Sequence, residues 1–244
     1  MKKEEYYEEI SNFRELVKRY ESFGDNVAFK YKRNGEIKEI TYAKYVNDIK
    51  KVAEKVLNSD ITKVAVIGSN RYEWVITYLG VTTAGKIIVP LDKALTDGEI
   101  EKLLQRSGAE AVVYDEKYQN AVDEAIAQGC NIKYRICMDN IEKGGVLKFE
   151  KMLQDGEDII KSGKTKYDSV QINENQMYIM LFTSGTTNEP KAVMLSQANI
   201  CKNVSAYQYN FKMYPSDALL SFLPIHHTFE SSITIIYGTY CGAT

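Results

Sequence analysis

The chain has 244 residues, of which 44% are hydrophobic and 26% charged, as expected for a globular protein with one large or two small domains. Its 31 lysines and arginines nearly balance 33 aspartates and glutamates, so no basic surface predicts a nucleic-acid partner. Four cysteines without a C-x-x-C spacing, and two adjacent histidines, do not predict a zinc site. The sequence shows neither a signal peptide nor an apolar run long enough to span a bilayer. We therefore expect a reduced, cytoplasmic protein.

The beginning of the chain predicts a helix followed by a β-hairpin. Apolar side chains recur there at helical spacing: Ile10, Phe13, Leu16, Val17 and Tyr20. A strand is predicted at Val27–Tyr31, and Asn34–Gly35 suits a tight turn. The returning strand is predicted to contain Ile37, Ile40 and Tyr42.

Beyond the hairpin, short apolar runs alternate with helical patterns. The runs predicted as strands are Val64–Ile67, Ile87–Val89, Ala111–Tyr114 and Ile132–Met138. The predicted helices contain Trp74, which we assign to packing, then Leu95–Leu104 with Thr96 and Glu99 as a capping box, then Ala121–Ala127. The polar stretch from Ile141 to Asn175 predicts a peripheral helix and a connecting loop. This alternation predicts an α/β fold with a largely parallel sheet and flanking helices.

A hydroxyl-rich loop follows the next predicted strand, Met177–Phe182. The residues from Thr183 to Lys191 include four hydroxyl side chains and Gly185, and end in a lysine. Hydroxyl and backbone N–H groups donate to phosphate oxygens, glycine permits close approach, and lysine adds positive charge. Composition alone leaves two interpretations open, a polyphosphate-binding loop and a polar loop that turns a corner. After the loop, a helix is predicted with Ser196 as its N-cap and an apolar face formed by Ile200, Val204, Tyr207 and Phe211.

This loop resembles the signature of the adenylate-forming (AMP-binding) enzymes, Thr-Ser-Gly-Thr-Thr-Gly-x-Pro-Lys-Gly-Val, then two residues and Ser-His. The matching positions are Thr183, Ser184, Gly185, Thr186, Thr187, Pro190, Lys191, Val193 and Ser196. It is not a Walker A loop, because Pro190 precedes the lysine. Asn188 and Ala192 stand where the family has glycine, and Gln197 stands where it has histidine. These departures predict a loop that is stiffer or slower than the family norm.

A second segment resembles the family's next motif, in the form found in long-chain fatty acyl-CoA synthetases, Leu-Pro-Leu-His-His-Thr-Phe-Glu. Ala218–Leu223 is predicted as a strand and leads into Pro224–Glu230. A weaker similarity covers Asn70–Trp74 and Val89–Asp92. The resemblance implies the N-terminal part of the acyl-CoA synthetase/luciferase-like fold, with an α/β subdomain at residues 1–175 and the start of a second at residues 176–244.

The resemblance implies an ATP-dependent long-chain fatty acid–CoA ligase. Such an enzyme joins a fatty acid or another carboxylic acid to ATP with the help of Mg²⁺, and the acyl-adenylate then reacts with coenzyme A. The implied phosphate-binding residues are Thr183, Ser184, Gly185, Thr186, Thr187, Asn188 and Lys191. Thr183 is also the candidate metal ligand, and Lys191 and His227 are the candidate catalytic residues. His227 is expected to orient the carboxylate, with Phe229 and Glu230 on the acyl side.

Complete members of the family are considerably longer, and their adenine, ribose, Mg²⁺-glutamate and C-terminal lysine motifs would lie beyond Thr244. We therefore expect an N-terminal fragment that makes no acyl-CoA alone and whose partner is its own C-terminal half. An uncovered apolar face predicts dimerisation or aggregation. Chain-length preference and peripheral membrane contact by the parent stay open. Two alternatives remain, an aryl- or amino-acid-activating adenylation domain and a non-catalytic module that binds nucleotides or adenylates.

Overall fold

A computed structural model describes residues 9–33, 35–183 and 190–244. The helices are α1 (Phe13–Glu21), α2 (Tyr42–Leu57), α3 (Tyr72–Thr83), α4 (Asp97–Ser107), α5 (Gln119–Ala127), α6 (Phe149–Lys161) and α7 (Gln197–Asn210). The strands are β1 (Val27–Arg33), β2 (Glu36–Thr41), β3 (Lys63–Ile67), β4 (Ile87–Leu91), β5 (Ala111–Tyr114), β6 (Tyr134–Cys137), β7 (Val146–Lys148), β8 (Met177–Thr183) and β9 (Lys191–Ser196). A last helical stretch joins an α-turn (Thr228–Glu230), a π-helix (Ser231–Tyr237) and another α-turn (Gly238–Tyr240), and is called here the C-terminal helix.

The strands form two sheets. The hairpin β1–β2 is a sheet of its own, as predicted, and the larger sheet has the strand order β7-β6-β5-β3-β4-β8-β9. Its neighbouring strands are parallel except for the antiparallel pair β8–β9. The predicted α/β fold with a largely parallel sheet and flanking helices is thus confirmed. Because β8 pairs with β4, the sheet continues across residue 175, and the division into subdomains there stays a prediction.

Both faces of the large sheet are buried at its centre, which explains why β3, β4 and β5 are continuous apolar runs. Val64 and Val66 of β3 belong to a core shared with α1, α2 and α3, whereas Ala65 and Ile67 belong to a second core under α4 and α5. Successive side chains of a strand point to opposite faces, so a strand covered on both sides must be apolar throughout. Trp74 is buried and stacks on Tyr78, which confirms its assignment to packing.

Helix α2 was not predicted from the sequence. Tyr42, expected in the hairpin, is instead the first residue of α2, because Thr41 ends β2 and its hydroxyl accepts the backbone N–H of Lys44. The helix buries Ile49 and Val52 against α3 and α6. The N-cap hydroxyl ends the strand and satisfies a free N–H of the new helix at the same residue.

The predicted strand Ala218–Leu223 is wrong. The segment forms no strand and belongs to neither sheet, and its backbone hydrogen bonds to the chain end join Leu219 N to Thr244 O at 2.9 Å and Thr244 N to Asp217 O at 3.0 Å. Leu220 and Phe222 are 80% and 71% exposed. Their alternation in the sequence therefore reflects a segment with one bare face and not a strand within a sheet. Phe211, predicted on the buried face of α7, is also exposed and lies beyond the end of that helix.

Smaller differences concern element boundaries. Helix α4 begins at Asp97 and not at Leu95, and the Glu99 carboxylate accepts the backbone N–H of Thr96 at 2.8 Å as the capping box predicts. The short edge strand β7 was not predicted within the polar stretch, whereas α6 is the peripheral helix expected there. Within the described ranges, no helix is both long and apolar enough to cross a bilayer.

Candidate active site

The hydroxyl-rich loop joins the last two strands of the large sheet. Thr183 ends β8, Lys191 begins β9, and the two residues face each other in the antiparallel register. Both are exposed. The predicted phosphate donors Ser184, Gly185, Thr186, Thr187 and Asn188 lie outside the described residues. The structure therefore places the two ends of the loop, called here the loop neck, next to each other at one edge of the sheet.

The loop neck shares this edge with the end of strand β4. Strands β4 and β8 are parallel neighbours, with Ile88 opposite Ile179. Counting along both strands from this pair brings the residue after β4, Asp92, level with Thr183. Because the carboxyl ends of parallel strands meet at one edge of a sheet, both side chains belong to the region where open α/β sheets bind their ligands.

The segment that precedes the histidines is tied to the same edge by Asn70, which follows strand β3. The Asn70 side-chain amide donates to the Ser221 hydroxyl at 3.0 Å and to the Leu223 carbonyl at 2.7 Å. Its side-chain oxygen accepts the backbone N–H of Ile225 at 3.2 Å. A single side chain thus replaces the ladder hydrogen bonds that a strand would make, and holds the segment over the ends of β3 and β4.

The two histidines that follow have different environments. The His226 side chain is 10% exposed, and its Nε2 lies 3.4 Å from Oδ1 of Asp92. Burial lowers the pKa of His226, the charge of Asp92 opposes this shift, and the nearby His227 and Lys93 add to it, with a resulting pKa of about 4. The ring is therefore uncharged at neutral pH. His227 is exposed, and the two ring centroids are 4.2 Å apart.

The predicted acyl-side residues point in different directions. His227 precedes the C-terminal helix, and its carbonyl accepts the backbone N–H of Ser231 at 3.1 Å. Phe229 is 61% exposed, whereas Glu230 is buried and accepts the Thr234 hydroxyl at 3.1 Å. The other carboxylate oxygen of Glu230 has no hydrogen-bond partner within the part of the chain that the structure describes. His227 and Phe229 thus lie on the surface near the sheet edge, and the part that Glu230 plays stays a prediction.

Two of the departures from the family signature lie outside the loop itself. Ala192 is in strand β9 opposite Phe182, where the extended backbone accepts any residue. Gln197 is the first residue of α7 and is fully buried. Its side-chain oxygen accepts the Phe13 N–H at 2.7 Å, and its amide donates to the Thr82 carbonyl at 2.9 Å. This side chain therefore joins α1 to the end of α3.

Sequence reasoning missed the contribution of Asn70 and Asp92, which it treated as structural. Each residue directly follows a buried parallel strand or the short turn after it. A polar residue at that position is the sequence feature that could have indicated a site at this edge. Arg71 was missed in the same way. Its guanidinium bonds to Glu73, Asp115 and Asp139, and so fixes the carboxyl ends of β3, β5 and β6 together.

A cavity of about 280 Å³ lies between β1, the start of α3, the segment 218–221 and the C-terminal helix. Among its described lining residues are Tyr31, Tyr72 and Ile235, but neither the loop neck nor His227. Asn70, Ser221 and Ile225 also line it, so the cavity adjoins the edge that the sequence motifs identify. Nor do the described ranges contain a group of three histidine, cysteine or acidic side chains arranged as a metal site.

The two ends of the polar loop and the histidine segment lie at the carboxyl edge of a largely parallel sheet, the region where open α/β sheets bind their ligands. The chain belongs to the AMP-binding enzyme family, whose model matches residues 16–244. The resemblance seen in the loop is thereby confirmed.

The relatives agree with this family. A CoA ligase of Gibberella moniliformis is 28% identical over 226 residues, which are 89% of this chain and 34% of the relative. Long-chain-fatty-acid–CoA ligase 5 of Rattus norvegicus is 29% identical over 195 residues, which are 73% of this chain and 28% of the relative. The anthranilate CoA ligase AuaEII, solved with anthranoyl-AMP, shares the fold with a TM-score of 0.79 at 18% identity, covering 100% of this chain and 46% of that one. The chain thus spans about a third of these two curated relatives.

Proposed function

We propose that this chain is the ATP-binding part of an acid–thiol ligase, and that the parent protein is a long-chain fatty acid–CoA ligase. The supporting observation is that the loop neck and the histidine segment occupy one edge of the sheet, with Asp92 level with Thr183 and 3.4 Å from His226. A triphosphate held at the loop would then have His227 on its neighbouring side. The names of the fatty-acid-activating relatives support the substrate class.

The proposed reaction has two steps. A carboxylate oxygen bonds to the α-phosphorus of ATP, the bond from that phosphorus to the β-phosphate oxygen breaks, and pyrophosphate leaves. The sulfur of coenzyme A then bonds to the acyl carbon, AMP leaves, and the thiol proton is released. Because negative charge develops on phosphate oxygens, prepositioned donors should contribute more than a covalent nucleophile.

Each predicted site residue has a place in this proposal. Lys191 and Thr183, with the donors from Ser184 to Asn188, would hold the β- and γ-phosphates. His227 would orient the carboxylate, and Phe229 and Glu230 would belong to the acyl side. Hydrogen bonds to charged groups contribute roughly 1.5–3 kcal/mol each, so a few of them are sufficient to hold a triphosphate.

ATP and Mg²⁺ are compatible with the described part of this site. Thr183 and Lys191 are both exposed, so a hydroxyl and an ammonium are accessible to an anion at the loop neck. Mg²⁺ prefers hard oxygen ligands and usually combines a few protein oxygens with phosphates and water. The Thr183 hydroxyl suits such a set, and the ion would neutralise charge on the phosphates.

We also propose that the exposed apolar side chains in and after the segment 218–223 are covered in the parent by its C-terminal half. Leu220, Phe222 and Phe229 are all more than half exposed. Exposed apolar patches of this kind mark interaction surfaces, so the isolated chain is expected to form dimers or aggregates. The catalytic lysine of the family would lie in that half, coenzyme A would be bound as the second substrate, and the parent would be cytoplasmic. A monodisperse monomer in light scattering at high concentration would contradict the proposed apolar interface.

The test compares Lys191→Ala with Lys202→Ala, a matched control on an exposed position of α7. Binding of ATP to the chain is measured by calorimetry, and carboxylate-dependent exchange of pyrophosphate into ATP is measured in the parent. Loss of one charge-assisted contact should weaken binding and exchange by roughly 10- to 100-fold in Lys191→Ala only. Equal behaviour of the two variants would remove the loop from the phosphate site.

The choice of acid in the exchange assay separates the alternatives. Palmitate as the preferred acid supports the long-chain ligase. Preference for anthranilate or benzoate would favour an aryl-acid ligase, the class represented by the structural neighbour that was solved with anthranoyl-AMP. ATP binding by the parent without exchange for any acid would favour a non-catalytic nucleotide-binding module.

A further inference from the structure

The His227 ring is exposed, and few contacts to it are found within the described residues. Within the described ranges, its recorded hydrogen bonds involve only its backbone, which contacts Pro224 and Ser231. Its recorded ring contact there is with His226, at 4.2 Å between centroids and 40° between planes. A side chain that must orient a carboxylate needs a fixed rotamer. Among the described residues, the His226 ring is thus the observed contact that can hold the His227 ring.

His226 is in turn positioned by an anchored loop. Its Nε2 is buried, has no hydrogen-bond partner among the described residues, and lies 3.4 Å from Oδ1 of Asp92. The same Asp92 oxygen accepts the backbone N–H of Ala94 at 2.9 Å, and the carbonyl of Lys93 accepts the Tyr118 hydroxyl at 2.6 Å. The Ala94 N–H thus holds the carboxylate that faces the buried ring, and the Tyr118 hydroxyl holds the backbone just after it.

We propose that Asp92 and His226 are positioning residues for His227, with the Asp92 carboxylate setting the orientation of the His226 ring and the His226 ring supporting that of His227. This inference depends on the proposed function only for its consequence in catalysis. Within the described residues, the charged or titratable groups that face His226 are Asp92, His227 and Lys93. Protonation of the His226 ring therefore reports on its pairing with Asp92.

The chain offers a direct measurement, because His226 and His227 are its two histidines. Selective labelling of histidine gives two ring signals by NMR, and His226→Gln identifies the signal of His226 by removing it. We expect this signal to titrate with a midpoint near 4 in the unmodified chain. In Asp92→Asn the midpoint should fall further, because the lost negative charge favoured the protonated ring.

Two variants make this measurement specific. Asp92→Asn keeps the oxygen that accepts the Ala94 N–H and removes only the charge. The control is Asp60→Asn, an exposed aspartate just before β3 and so at the opposite edge of the sheet. It should leave both histidine signals unchanged. An unchanged His226 midpoint in Asp92→Asn would overturn the pairing of Asp92 with His226.

The support given to His227 is tested by ring dynamics. In His226→Ala, NMR relaxation should show that the His227 ring has lost its order, and the nuclear Overhauser contact of this ring with residue 226 should disappear. His226→Phe keeps an aromatic ring and should retain most of the order. Equal order of His227 in the unmodified chain and in His226→Ala would overturn the proposal.

Catalysis provides a separate arm in the parent. His226→Ala should lower kcat of pyrophosphate exchange by about 10-fold with little change in KM for ATP, since a misplaced group costs rate more than nucleotide binding. If His227→Ala leaves exchange unaffected while the NMR coupling is present, the proposed role of His227 fails and the positioning pair is still supported. If His227→Ala abolishes exchange and His226→Ala does not reduce it, the positioning role is refuted.

Discussion

Replacing Gln197 by methionine should destabilise the fold far from any ligand. The side chain is fully buried, and its amide joins the N–H of Phe13 to the carbonyl of Thr82. Methionine has a similar length and can fill the space, but it can satisfy neither group. Each buried group left without a partner costs about 1–3 kcal/mol. Added apolar burial by methionine offsets part of this, so we expect a net loss of about 2–4 kcal/mol.

Urea denaturation followed by circular dichroism measures this loss, and thermal melting provides a second reading. For a chain of this size, about 2–4 kcal/mol corresponds to a decrease in Tm of about 4–16 °C. The matched control is Gln154→Met, because Gln154 is on the exposed surface of α6 and bonds to Asp158. The control should change the free energy of unfolding by less than about 0.5 kcal/mol. Equal stabilities of the two variants would refute the assignment of Gln197 to a buried junction.

The remaining predictions concern packing and pH. Gly156→Ala should destabilise the chain by about 1–3 kcal/mol, because a new Cβ would overlap the backbone of Lys51 where α6 crosses α2. Gly98→Ala in α4 meets no neighbour and should stabilise the chain by about 0.5–1 kcal/mol. Urea denaturation of both variants measures these changes, and similar effects would contradict the close crossing. Burial alone would raise the pKa of Glu110, but hydrogen bonds from the Thr62 hydroxyl and N–H, together with Lys133, lower it to about 2. As the pH falls, the unfolded carboxylate binds its proton before the folded one, so the stabilisation of the fold by Glu110 is complete above about pH 4.5 and is lost between about pH 4.5 and 2. Glu110→Gln should flatten the pH dependence of the unfolding free energy in that window. An unchanged slope would contradict the shifted pKa.

The central strands could be predicted because their local pattern and their final environment agree. Val64–Ile67 and Ala111–Tyr114 are apolar throughout, and each is covered on both faces. Such a run has few alternatives in a chain where polar segments separate it from its neighbours. The capping box at Thr96 could also be predicted, since its donor and acceptor are close in the sequence.

The predictions were wrong where a residue or a local pattern is compatible with two different structures. Tyr42 fits a strand by its β-propensity, yet the hydroxyl of Thr41 ends the strand and begins a helix. In the segment Ala218–Leu223 the apolar alternation is that of a strand, but Asn70, distant in sequence, supplies its hydrogen bonds. Local pattern shows which face of a segment is apolar and does not show what pairs with its backbone.

Part of the candidate site could be predicted, and the missing part depends on topology. The hydroxyl-rich loop and the two histidines are contiguous motifs, so the sequence alone identifies them. The contact of Asp92 with His226 exists because Asn70, which follows β3, holds the histidine segment beside the end of the neighbouring strand β4. Asn70 and Asp92 are both distant from His226 in the sequence, so no local spacing shows this adjacency.

Stability and ligand binding should be separable in this chain through Gln197 and Lys191. Gln197 occupies the position of the family's histidine, yet its side chain joins α1 to α3. Lys191 is exposed at the loop neck. We therefore expect Gln197→Met to lower stability while changing ATP affinity less than about 2-fold, and Lys191→Ala to weaken ATP binding roughly 10- to 100-fold at nearly unchanged stability. Calorimetry below the melting transition measures both affinities. If Gln197→Met weakens ATP binding as much as Lys191→Ala does, then the start of α7 belongs to the nucleotide site. In that case a change at its junction with α1 and α3 alters the phosphate-binding loop.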